Sequence, residues 1–214
     1  MLRAGLLILV GGIGLILFLM PLVDSLEGNL STAAFVFAII LELLLLLGAW
    51  LFGPYRHGGS IQALGFRAPV SGTVFLPWLV LLASLIFATV YIAIVSAIGL
   101  ETLEPPSLPE EMVETNLDRL AMFVLVVVLA PLAEETFFRG FLLPVLVSRW
   151  GFLWGAGLTS LLFGATHGAL GMIVPAFATG MLFAWLYYRT RSLWSCLLAH
   201  AAQNSLAFVL TFLI

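Results

Sequence analysis

Residues 119–139 read Arg-Leu-Ala-Met-Phe-Val-Leu-Val-Val-Val-Leu-Ala-Pro-Leu-Ala-Glu-Glu-Thr-Phe-Phe-Arg. Every residue from 120 to 133 is apolar, and Glu134, Glu135 and Arg139 follow before the chain turns apolar again. An apolar run of this kind is the mark of a helix that crosses a bilayer, which takes about 20 residues. A charged side chain near the centre of such a helix costs about 2.5–3.5 kcal/mol on insertion scales, so carboxylates placed there are a functional hypothesis by default. The stretch therefore predicts both the fold, a helical membrane bundle, and the helix that carries the chemistry.

The rest of the chain agrees. Of its 214 residues 63% are hydrophobic and 9% charged, against about 25% charged in a soluble domain, so the solvent of this fold is lipid. Apolar runs and their polar breaks predict spans near 5–23, 32–53, 73–99, 119–139, 152–167, 170–188 and 193–213. The runs are continuously apolar rather than alternating, which excludes a membrane barrel and leaves α-helices to satisfy the backbone. The expected fold is an all-α polytopic bundle of about seven spans, with eight as the alternative. It forms a single integral membrane domain over 1–214, with the motif-bearing core at about 119–214. The segment 5–23 reads as a retained helix rather than a secretory signal, because the run is long and no small-x-small site follows it. Cys196 stands alone, so it forms no intramolecular disulfide and no CxxC metal pair, and reads as a small packing residue. All eight basic residues are Arg and scattered, which argues against a nucleic-acid partner.

Basic residues near span ends are retained on the cytoplasmic side. Arg3, Arg56, Arg67, Arg149, Arg189 and Arg191 share one side of the expected topology. The other side carries Asp24, Glu27 and the loop from Glu101 to Asp118, with Glu104, Glu110, Glu111 and Glu114 against Arg119. The expectation is a multi-pass protein of the cell membrane, with its N-terminus in the cytoplasm, its C-terminus outside and the acidic loop as a solvated connector.

Few ionisable residues fall inside the expected spans: Glu42, Glu134, Glu135, His167 and His200, with Arg139 and Asn204 close by. Glu135 and Arg139 are four apart, on one helix face in the favourable Glu-before-Arg order, so Arg139 can hold Glu135 ionised. Glu134 lies about 100° further round and is the carboxylate left free. If the helix continues to a turn at Trp150 and Gly151, Glu135 and His167 lie equally far from that turn and so at one depth. Gly155, Gly157 and Gly164 on the returning helix would let its backbone come close. His200 and Asn204, four apart, project from one face; the first is a base, acid or ligand and the second a neutral donor suited to an oxyanion. Glu42 is either a cavity-lining group or a carboxyl bonded to a neighbouring helix, and His57 reads as surface. No HExxH is present, both Asp residues lie near span ends, and no GxSxG appears. That removes zinc of that motif and an aspartyl dyad and argues against a serine nucleophile, leaving Glu with His.

The order EExxxR (Glu134, Glu135, Arg139), FxxxH (Phe163, His167) and HxxxN (His200, Asn204), each on its own expected span, resembles the CPBP family. That family comprises type II CAAX prenyl endopeptidases and bacterial bacteriocin-processing or Abi proteins. The resemblance covers about the last 100 residues, and Leu64-Gly65-Phe66-Arg67 resembles its LGxR element. It implies a glutamate-dependent intramembrane protease whose site opens to the cytoplasm. Glu134 and His167 would polarise a water, Arg139 would orient Glu135, and His200 with Asn204 would hold the oxyanion. The Arg-only, short-looped chain reads as prokaryotic, which argues against a prenylated CAAX substrate.

Three readings stay open at this point. One is an intramembrane endopeptidase that needs no cofactor and acts on a membrane-associated peptide or protein. Another keeps the same residues as a Zn²⁺ site, with Glu135, His167 and His200 as ligands. The last is a non-catalytic membrane protein, such as an immunity factor or scaffold that binds a peptide.

Overall fold

The computed structural model describes residues 30–106 and 112–212, together with Gly11. All regular structure among the described residues is helical. Helix α1 (Leu30–Phe52) and helix α2 (Leu76–Ala97) come first. A helical stretch of 51 residues, Asn116–Thr166, follows, and then α5 (Leu170–Thr190) and α6 (Leu193–Leu210). The long stretch is broken at Gly151, whose φ of 77° and ψ of 172° are open to glycine at little cost. The break divides it into α3 (116–150) and α4 (152–166).

Five of these helices are long and apolar enough to cross a membrane, when Asn116–Thr166 counts as one. Seven were expected. The first expected span, 5–23, lies outside the described residues apart from Gly11, and the fourth and fifth share the stretch that Gly151 breaks. The chain doubles back there: a Cβ on Gly155 would sit 2.7 Å from the Val147 backbone nitrogen. The glycines of α4 divide their work differently from the expectation. Gly155 faces α3, but Gly164 would meet the Ile173 carbonyl of α5 at 2.8 Å, and Gly157 has nothing within 4 Å.

Apolar side chains face outward as well as inward. Leu79, Leu82, Ile86 and Val90 form an outer stripe along α2, each more than half exposed. A helix apolar on all sides yet only partly covered by protein has hydrocarbon as its remaining neighbour.

The segment 61–67 fastens one end of the bundle. Tyr187 donates its hydroxyl to the Leu64 carbonyl at 3.3 Å, the Leu193 N–H donates to the Gly65 carbonyl at 2.8 Å, and Arg67 Nε donates to the Arg191 carbonyl at 2.7 Å. Gly65 has a φ of 100° that suits glycine. On α3, Gly140 leaves no room for a Cβ beside the Leu64 carbonyl. The LGFR element thus clips the α5–α6 turn to α3.

Helix α3 is not a regular α-helix. Two π turns, Val124–Leu129 and Glu135–Leu142, interrupt it, each ending two residues before a proline, Pro131 and Pro144. Proline has no N–H to donate, and its ring clashes with the carbonyl four residues back. A wider turn relieves the clash, though not the missing N–H, and such π turns gather at functional sites.

Candidate active site

The second π turn holds Glu135 and Arg139 against the rest of the bundle. All eight of its residues are buried, with Glu135 and Arg139 among the largest fully covered side chains. Arg139 Nη1 donates to Glu135 Oε1 at 2.7 Å, and Nη2 reaches the Gly180 carbonyl of α5 at 3.5 Å. Around the guanidinium stand three aromatic rings: its carbon lies 4.3 Å from the centroid of Phe163, 5.3 Å from Phe183 and 5.9 Å from Phe138. Cation–π attraction and the carboxylate together compensate for burying this charge. The close approach of α4 to α5 that sets the rings in place needs Gly180, where a Cβ would press on Ser160.

His200 on α6 joins the two carboxylates. Its Nδ1 lies 2.9 Å from Glu135 Oε1, and its Nε2 lies 3.5 Å from Glu134 Oε2. The Phe183 and Phe163 rings flank the imidazole, with centroids at 5.2 and 6.0 Å. Since an ionised Glu135 only accepts, Nδ1 carries a hydrogen, and Nε2 donates only when the ring holds both protons. Glu135 Oε1 is therefore shared by Arg139 and His200. Glu134 has no partner nearer than His200 among the described residues and is partly open, its side chain 14% exposed.

His167 ends α4, followed at once by Gly168 with a φ of 73°. Its Nδ1 lies 2.9 Å from the Phe163 carbonyl, which can only accept. In the neutral ring that places the hydrogen on Nδ1 and leaves Nε2 as an acceptor, the form needed to orient a water. The ring packs edge-on against Phe163, with centroids 4.9 Å apart, and is half-buried. Phe163 in turn meets Phe138 of α3 at 5.3 Å, which packs α4 against the helix that carries the Glu pair.

Asn204, half-buried on α6, donates its Nδ2 to the Val126 carbonyl of α3 at 2.8 Å. One of its two amide hydrogens is thus engaged and one is left. Glu42 on α1 is 7% exposed, and its Oε2 has no hydrogen-bond partner among the described residues. The Glu134 carboxylate lies within electrostatic reach of it. His57 is exposed at the far end of α1. Among the described residues no three His, Cys, Asp or Glu side chains stand together as a metal-ligand set. Of Glu135, His167 and His200, His167 has its Nδ1 engaged by its own helix, and Glu135 has its Oε1 engaged by Arg139 and His200.

The FxxxH motif contains Phe163 without assigning it a task, and no sequence motif includes Phe183, Gly180 or the Val126 carbonyl. A buried arginine needs both an acceptor and a polarisable lining. Aromatic residues on the neighbouring helices were the available signal for Phe163 and Phe183.

An all-helical membrane protein with two adjacent carboxylates facing an imidazole between its helices is the class that fold and site define. Residues 116–206 match the family described as type II CAAX prenyl endopeptidase Rce1-like. A curated relative, "Putative membrane peptidase YdiL" of Bacillus subtilis (strain 168), is 28% identical over 89 residues, covering 42% of this chain and 36% of that protein. The chain thus spans little more than a third of the length of the curated relative it matches. No solved structure matches. Residues 116–206, which hold all three motifs, are thus similar to that family.

Proposed function

We propose that the chain is an intramembrane endopeptidase, hydrolysing a peptide bond of a membrane-associated peptide or protein with a water activated by Glu134 and His167. The observation that carries this reading is the unequal treatment of the two carboxylates. Glu135 is fully buried and bound on one oxygen by both Arg139 and His200, whereas Glu134 beside it is partly open and unengaged apart from His200 at 3.5 Å. One carboxylate organises the site and the other is free to move a proton.

In this mechanism Glu134 takes a proton from a water that His167 Nε2 also holds, and the resulting hydroxide attacks the scissile carbonyl carbon. The oxyanion is met by His200 Nε2 in the doubly protonated ring and by the second Asn204 amide hydrogen. When the tetrahedral intermediate collapses, Glu134 returns its proton to the departing amide nitrogen and the C–N bond breaks. The protein resides in the cell membrane with its Arg-bearing end in the cytoplasm.

The test is hydrolysis by the purified, reconstituted protein with and without chelator, using peptides drawn from the same membranes. The proposal expects activity that chelator leaves unchanged. Loss with chelator and recovery with stoichiometric Zn²⁺ would instead make His200 a ligand.

A further inference from the structure

The bond from Asn204 to the Val126 carbonyl has a cause in the sequence of α3. In the first π turn hydrogen bonds span five residues, and the turn closes with the Ala130 N–H donating to the Leu125 carbonyl. The next bond of the series would run from residue 131 to the Val126 carbonyl. Residue 131 is proline and has no N–H. The donor that this carbonyl receives comes from another helix, Asn204 Nδ2 at 2.8 Å.

We infer that Pro131 is a positioning residue of the site: by withholding an N–H from the Val126 carbonyl, it makes the Asn204 amide that carbonyl's donor and so fixes α6 against α3. The effect reaches the carboxylates because Asn204 and His200 share one face of α6, four residues apart. With Asn204 fastened to Val126, His200 is held where its two ring nitrogens meet Glu135 and Glu134. The same bond orients Asn204 with one amide hydrogen engaged and the other left over. The catalytic consequence rests on the proposed role of His200 and Asn204. The latch itself does not, and it is testable without substrate.

The experiment is a thermal-unfolding cycle on the whole chain in detergent, with Pro131→Ala and Asn204→Ala alone and together. Asn204→Ala in the natural background strands the Val126 carbonyl and should lower Tm by about 2–4 °C. In the Pro131→Ala background the backbone N–H gained at position 131 satisfies Val126, so Asn204→Ala should cost little. Asn204→Asp, which cannot donate when ionised, should follow Asn204→Ala in both backgrounds. Equal losses in the two backgrounds overturn the latch. For positioning, Pro131→Ala should keep or raise Tm, since alanine favours the helix, yet lower kcat about tenfold with KM little changed. Coupling in the cycle with undiminished kcat in Pro131→Ala overturns the positioning role while leaving the Glu134 mechanism standing.

Discussion

Arg139 and Glu135 share a 2.7 Å hydrogen bond between side chains that are 1% and 0% exposed, four residues apart within a π turn. His200 is tied to this pair, since its Nδ1 is fastened to the same Glu135 oxygen. The ion pair is thus a structural base on which the imidazole stands, with Glu134 beside it.

Removing the cation should therefore be costly. Arg139→Ala leaves a fully buried carboxylate without its counter-ion and should lose about 3–5 kcal/mol of stability, together with activity. Arg139→Lys should recover only part of either, because an ammonium matches neither the fork of donors nor the stacking on Phe163 at 4.3 Å. Thermal unfolding in detergent reads the first effect, and peptide hydrolysis the second. Full activity in Arg139→Ala would sink the pairing.

The positions of the helices were legible because apolar runs end where polar residues begin. Expected spans 73–99, 170–188 and 193–213 correspond to Leu76–Ala97, Leu170–Thr190 and Leu193–Leu210. The turn at Gly151 was legible too, since a glycine after Trp150 offers the dihedrals a reversal needs. The π turns were not. A stretch apolar on every face, as residues 120–133 are, carries no periodicity from which a change of helical pitch can be read. For the same reason spacing alone could not tell that Gly164 meets α5 and Gly157 meets nothing. In the site, the i,i+4 rule reached Glu135 with Arg139, while the role of Asn204 on a backbone carbonyl depended on a partner 78 residues away.

Glu42 tests whether a buried carboxyl is retained for chemistry. Its Oε2 lacks a partner among the described residues, and an unpaired buried polar atom costs about 1–3 kcal/mol. Glu42→Leu should therefore raise the unfolding free energy by about that amount while lowering turnover, the trade expected of a group kept near Glu134 for function. Glu42→Gln should fold normally. A Glu42→Leu protein that is less stable than the natural one would show that the carboxyl serves packing instead.

Orientation follows from the arginines. A reporter fused after Arg191 should read cytoplasmic, and one inserted between Glu104 and Glu114 should read external. A cytoplasmic signal from the loop would reverse the topology and turn the Arg-bearing end outward.

The most direct test of the central claim is the set of new peptide termini in membranes that hold the natural protein or its Glu134→Gln variant. Mass spectrometry of termini reads the cleavage products whatever the sequence of the substrate. The amide keeps the size of the side chain but cannot take a proton from water. The account predicts termini present with the natural protein and absent with Glu134→Gln, at equal protein level and unchanged thermal stability. The same termini in equal amounts from both would contradict Glu134 as the base.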